Sequence, residues 1–138
     1  MQPQPVVLDT NILLDLFIFS DPQVAALRAD LEAGVLRFVS TAEMREELRR
    51  VLDYPQLQPR MAFHGLTSAQ VLAAFDARAT LCAVAPKAPY TCKDADDQKF
   101  IDLAAAQGAR LISKDKAVLC MARRLRTLGV EVARSYSP

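Results

Sequence analysis

Four carboxylates in this chain stand where a charge is costly unless something receives it. Asp9 ends a wholly apolar run, Val6-Val7-Leu8, and is followed by the polar Thr10 and Asn11. Asp115 comes just after Leu111 and Ile112, with Ser113 and Lys114 between. Asp97 precedes Phe100, Ile101 and Ala104 by three, four and seven residues. Because each residue of an α-helix advances about 100°, that carboxylate points the way the core-facing side chains point. Glu47 lies nearest the apolar face made by Met44, Leu48, Val51 and Leu52, with Glu43 next and Glu46 nearly opposite. Four acids brought into one crevice would repel, each raising the others' pKa, and a divalent cation is the usual means of keeping several ionised. An all-oxygen ligand set favours magnesium or manganese over zinc. Such a centre serves phosphodiester hydrolysis by polarising the phosphate and activating water.

Each acid alone has a plainer explanation. Asp9, Asp94 and Asp115 are all suited to cap helices, Asp96 sits in a first turn where acids are favoured anyway, and Glu47 beside Arg45, Arg49 and Arg50 reads as solvated surface. Two strands that both end in aspartate are harder to attribute to capping. Around the four acids, Asn11, Ser113 and Asp94 are candidates for orienting ligands or substrate. Lys93, Lys99, Lys114 and Lys116, with Arg123 and Arg124, cluster in sequence near the later acids and are candidates for guiding phosphates, although solvation on a helix surface explains any one of them. His64, the lone histidine, falls in a loop and receives no role.

The elements that must position these residues alternate between strand and helix. Val6 to Leu8 lack the alternation of a half-exposed strand, so both faces should be covered, as in a parallel sheet flanked by helices. Further strands are predicted at 36–39, 81–84, 110–112 and 130–133. Helices are predicted from Ile12 to Ser20, over 22–33 and 41–52, from Thr67 to Ala79, from Asp94 to Gly108, and from Asp115 through Leu125. Pro55 and Pro59 predict an irregular stretch or short turns between Tyr54 and Gly65. This is the pattern of an α/β domain with helices on both faces of a parallel sheet, where chemistry gathers at the carboxyl ends of the strands.

A chain of 138 residues, 51% of them apolar, is the size of one domain and long enough to bury a core unaided, so a single domain over 1–138 is expected. Seventeen Lys and Arg against sixteen Asp and Glu give a net charge of +1, so no global field draws it onto nucleic acid and any polyanion site must be local. Cys82, Cys92 and Cys120 are odd in number and lack Cys-x-x-Cys spacing, which argues against a disulfide framework and a zinc site and predicts buried thiols. With neither a signal-like segment nor a membrane-length apolar run, a cytoplasmic location is expected.

The motifs in order resemble those of the PIN-domain nucleases, most closely the bacterial toxin branch related to the VapC toxins. Val-Leu-Asp9-Thr10-Asn11-Ile-Leu is similar to the family's first motif, Glu47-Leu48-Arg49-Arg50-Val51-Leu52 to its second, Asp94-Ala-Asp96-Asp97-Gln-Lys-Phe100 to its third and Ser113-Lys114-Asp115 to its fourth. The resemblance implies a three-layer α/β/α sandwich with strand order 3-2-1-4-5, a metal-dependent endoribonuclease and a protein antitoxin. It also implies Asp9, Glu47, Asp97 and Asp115 as the catalytic and metal-binding set for Mg2+ or Mn2+. Lys114 stands where the family usually has glycine, which places the turn before Asp115 in question. A catalytically silent module, docking a protein or RNA partner through the same crevice, is the alternative. A phosphatase with Asp9 as covalent nucleophile fits poorly, because Asn11 stands where an acid is wanted to protonate the leaving group. The apolar helices between Ala42 and Ala79 are open to use in a homodimer or antitoxin interface, or as plain core.

Overall fold

The computed structural model describes residues 2–138. Strand β1 (Gln4–Leu8) leads into helix α1 (Thr10–Leu14), which widens into a π-helical segment, Asp15–Phe19, and closes at Ser20. A 3-10 turn at Pro22–Val24 opens α2 (Ala25–Glu32), followed by β2 (Leu36–Thr41) and α3 (Ala42–Leu52). Another 3-10 turn, Pro55–Leu57, leads into α4 (Gln58–Phe63), then α5 (Ser68–Arg78) and β3 (Thr80–Cys82). After an extended connection, the 3-10 turn Ala95–Asp97 opens α6 (Gln98–Gln107), followed by β4 (Arg110–Ile112), α7 (Lys116–Leu119), α8 (Ala122–Arg126) and β5 (Val132–Ala133).

The five strands form a parallel sheet in the order β3-β2-β1-β4-β5. β1 is central, which is why Val6, Val7 and Leu8 are all apolar and at most 1% exposed. Their alternation splits the core in two: Val6 and Leu8 join Phe38, Leu48 and Phe75 on one side, and Val7 joins Phe100, Ile101 and Leu111 on the other. The chain turns from β2 on one flank of β1 to β4 on the other. The carboxyl ends of β1 and β4 therefore flank the topological switch point, where a crevice opens in such sheets.

Several elements differ from what periodicity predicts. The stretch after Tyr54 is helical, since Pro59 occupies the first turn of α4 where its missing N–H costs nothing. The helix expected to run on from Asp115 is instead two short ones joined at Cys120-Met121, and β3 and β5 are shorter than the runs 81–84 and 130–133. Of the three thiols expected inside, only Cys92 is buried; Cys82 is partly covered and Cys120 exposed. Lys114 requires no glycine, because Ser20 is the one non-glycine residue with positive φ among the described residues.

Candidate active site

Pairing of Leu8 with Ile112 delivers Asp9 and Ser113 side by side beyond the ends of β1 and β4. The Asp9 amide donates to the Ile112 carbonyl at 3.2 Å, continuing the ladder by one step. Ser113, fully buried, donates its hydroxyl to Asp9 Oδ2 and accepts the Asp115 amide at 3.1 Å. One serine oxygen thus ties the two strand-end aspartates together. Capping and convergence are compatible here: Asp9 Oδ1 accepts the Ile12 amide at 3.0 Å and Asp115 Oδ1 the Ala117 amide at 2.9 Å, while both carboxylates line the same cavity. Burial raises the pKa of Asp9, opposed by the hydrogen bonds from Ser113 and Ile12 and reinforced by the charge of Asp115.

α6 brings the third acid. Phe100, Ile101 and Ala104 are buried as their spacing requires, and Asp97, on the same face, turns toward the strand ends. One carboxylate oxygen from each of Asp94, Asp97 and Asp115 lies within 4.8 Å of the others. Asp97 Oδ2 is fully buried and no hydrogen-bond donor among the described residues reaches it. Burial first, then the neighbouring Asp115, with smaller effects of Asp94 and Asp9, pushes the Asp97 carboxyl up to about 7. A divalent cation fits this set: three hard oxygen donors converge, and one of them is desolvated with no proton donor of its own.

Glu47 is on the cavity wall but is held by two donors. Its Oε2 accepts the Thr10 hydroxyl, and its Oε1 pairs with the Lys99 ammonium at 2.8 Å. Glu43, the reserve, is exposed. The basic residues divide. Lys99 is committed to Glu47 and the Asp96 carbonyl, and Lys114 turns away from the cavity to pair with Asp15, which is only 7% exposed. Lys93, Lys116, Arg123 and Arg124 are exposed and form no ion pair among the described residues.

Asp94, expected as a helix cap and as a residue that orients ligands or substrate, stands in the acid cluster itself. It does cap, accepting the Asp96 amide at 3.0 Å. The turn it opens is 3-10, closed by the Asp97 amide on the Asp94 carbonyl at 3.1 Å. That short turn leaves one carboxylate oxygen of Asp94 near those of Asp97 and Asp115. Asn11 is exposed at the cavity rim, and Tyr54 and Gln56 line the same cavity of about 310 Å3, with nothing in the local sequence to place them there.

No curated protein matches the chain. The family model of the PIN domain matches residues 5–117, a span that holds all of these acids, strands β2 to β4 and all but the first residue of β1. With strand order β3-β2-β1-β4-β5 and carboxylates gathered at the switch point of that sheet, the chain belongs to the PIN domain family, whose members are generally nucleases and typically bind divalent metals.

Proposed function

We propose that this protein is a Mg2+- or Mn2+-dependent endoribonuclease and the toxin of a toxin–antitoxin pair, held in check by a protein antitoxin. The observation that carries the nuclease reading is the buried, donorless Asp97 Oδ2 beside Asp115 and Asp94. Asp94, Asp97 and Asp115 would hold the ion, with Asp9 adjoining. The chemistry a bound divalent ion supplies there is polarisation of the scissile phosphate and a lowered pKa for an attacking water. Everything else is the work of the chain. Ser113 and the Ile12 amide hold the Asp9 carboxylate in one orientation and keep Asp115 in register with it. The Asp97 carboxyl carries a proton below about pH 7 and must release it when a cation enters. Thr10 and Lys99 hold Glu47 against the same wall.

Two observations favour the nuclease reading over a silent module: Lys114 pairs with Asp15 outside the cavity, and the backbone before Asp115 has no positive φ. Asp97→Asn is expected to abolish EDTA-sensitive cleavage of RNA while the circular dichroism spectrum stays native. Full activity of that variant would sink the assignment, as would a failure of manganese to bind the wild-type protein in a calorimetric titration. The toxin reading is tested separately, by growth arrest on expression and its relief by the product of the adjoining gene. No helix among the described residues is long and apolar enough to cross a membrane.

A further inference from the structure

The cavity that holds the acids has a second half with different chemistry. Its volume, about 310 Å3, falls at the lower end of the range of ligand pockets. Leu14, Val51 and Leu57 form an apolar wall, and Asn11, Tyr54 and Gln56 stand along it. These three are exposed, Tyr54 by 47%, and none of their side-chain polar atoms hydrogen-bonds within the described chain. Among the described residues no lysine or arginine lines the cavity, so this half is not built to receive a phosphate. An exposed aromatic ring, two unengaged amides that both donate and accept, and an apolar wall suit a flat, neutral, hydrogen-bonding ligand.

The backbone that carries the ring is also fixed. The Tyr54 amide donates to the Val51 carbonyl at 3.0 Å, and the Tyr54 carbonyl accepts the Leu57 amide at 3.0 Å, which closes the turn on which Gln56 sits. Leu57 is 9% exposed and anchors that turn in the core. With the backbone fixed in this way, ordering of the turn adds little to the cost of stacking a ligand on the ring.

We infer that this half of the cavity is a nucleobase subsite: Tyr54 stacks an unpaired base next to the scissile phosphate, and Asn11 and Gln56 read its edge. The inference rests on the nuclease reading for its ligand. A base inside a duplex is stacked on both faces and paired along its edge, so the subsite selects single-stranded or splayed-out nucleotides.

The test uses a short single-stranded oligoribonucleotide carrying 2-aminopurine, whose fluorescence falls on stacking, mixed with the full protein in EDTA and again in calcium. Quenching is expected with the single strand and not with its duplex. Tyr54→Phe should retain it. Tyr54→Ala should abolish it and weaken binding about 5- to 150-fold, the usual loss for one base–aromatic stack. Unchanged quenching and affinity in Tyr54→Ala, equal binding of the duplex, or no binding of the single strand in either buffer would each overturn the subsite. Manganese-dependent cleavage by the wild-type protein is scored alongside. Tyr54-dependent quenching without cleavage would refute the nuclease reading and leave the subsite standing, and cleavage indifferent to Tyr54 would do the reverse.

Discussion

Replacing Asp97 with asparagine should make the metal-free protein more stable while destroying its metal site. The Asp97 carboxyl is pushed from the ordinary 3.8 up to about 7, chiefly by burial and then by Asp115. Taken undamped, that difference corresponds to about 4 kcal/mol of penalty on the charged form. Asp97 is only half-buried, so solvent screening brings the figure to on the order of 2 kcal/mol. The sign follows from proton counting. Between about pH 4 and pH 7 the unfolded chain has released this proton and the folded chain still holds it, so stability falls as pH rises through that window and is flat above it. Asparagine has the same shape and no charge, and its amide can donate to Asp115 or Asp94. In EDTA at pH 8 the variant should melt roughly 6–8 °C above the wild type, for a stabilisation of on the order of 2 kcal/mol. Its pH slope should be shallower without vanishing, because the raised pKa of Asp9 acts in the same direction. Manganese should raise the melting temperature of the wild type and leave the variant unmoved. The assay is thermal unfolding by circular dichroism from pH 4 to pH 8, with and without the ion. A variant less stable than the wild type at pH 8 in EDTA, or a wild-type stability that rises between pH 4 and pH 7, would refute the reasoning.

Three other perturbations test the surroundings. Lys99→Met removes the cation that pairs with Glu47 at 2.8 Å and adds one net negative charge to the crevice, so calorimetry should show tighter manganese binding; weaker binding would mean that Lys99 does not oppose the ion. Lys114→Gly strands Asp15, which is 11% exposed at its side chain, so urea denaturation should show a loss of about 1–3 kcal/mol, and a neutral or stabilising result would contradict the ion pair as drawn. Ser113→Ala removes one donor from buried Asp9 and the acceptor for the Asp115 amide; it should cost about 1–3 kcal/mol and raise the Asp9 pKa further, read by the carboxyl resonance in an NMR titration. An Asp9 titration unchanged in that variant would show that Ser113 does not hold the carboxylate.

Much of this architecture is written in local patterns. The unbroken Val6-Val7-Leu8 run marks a strand covered on both faces, and β1 is the centre of the sheet. The spacing from Asp97 to Phe100, Ile101 and Ala104 puts that carboxylate on the core side of its helix, and there it lies. Where local pattern misleads, a competing local rule is at work. Proline reads as a breaker at Pro59 but is at home in a first helical turn, and the capping role legible at Asp94 gives no hint that its carboxylate also joins those of Asp97 and Asp115.

Residue types and their periods by themselves determined the alternation of strands and helices and the covered central strand, because these depend on neighbours within a few residues; the inward-facing carboxylate of Asp15 was not among them. The tertiary structure alone decided who meets whom. Ser113 reaches back to Asp9, Lys99 to Glu47, and Lys114 to Asp15, across separations of 104, 52 and 99 residues. No window along the chain contains both partners of such a contact. Whether a lysine guides phosphate or neutralises an acid, and whether a tyrosine after a helix is plain surface or the wall of a cavity, depends on how the sheet brings distant ends together.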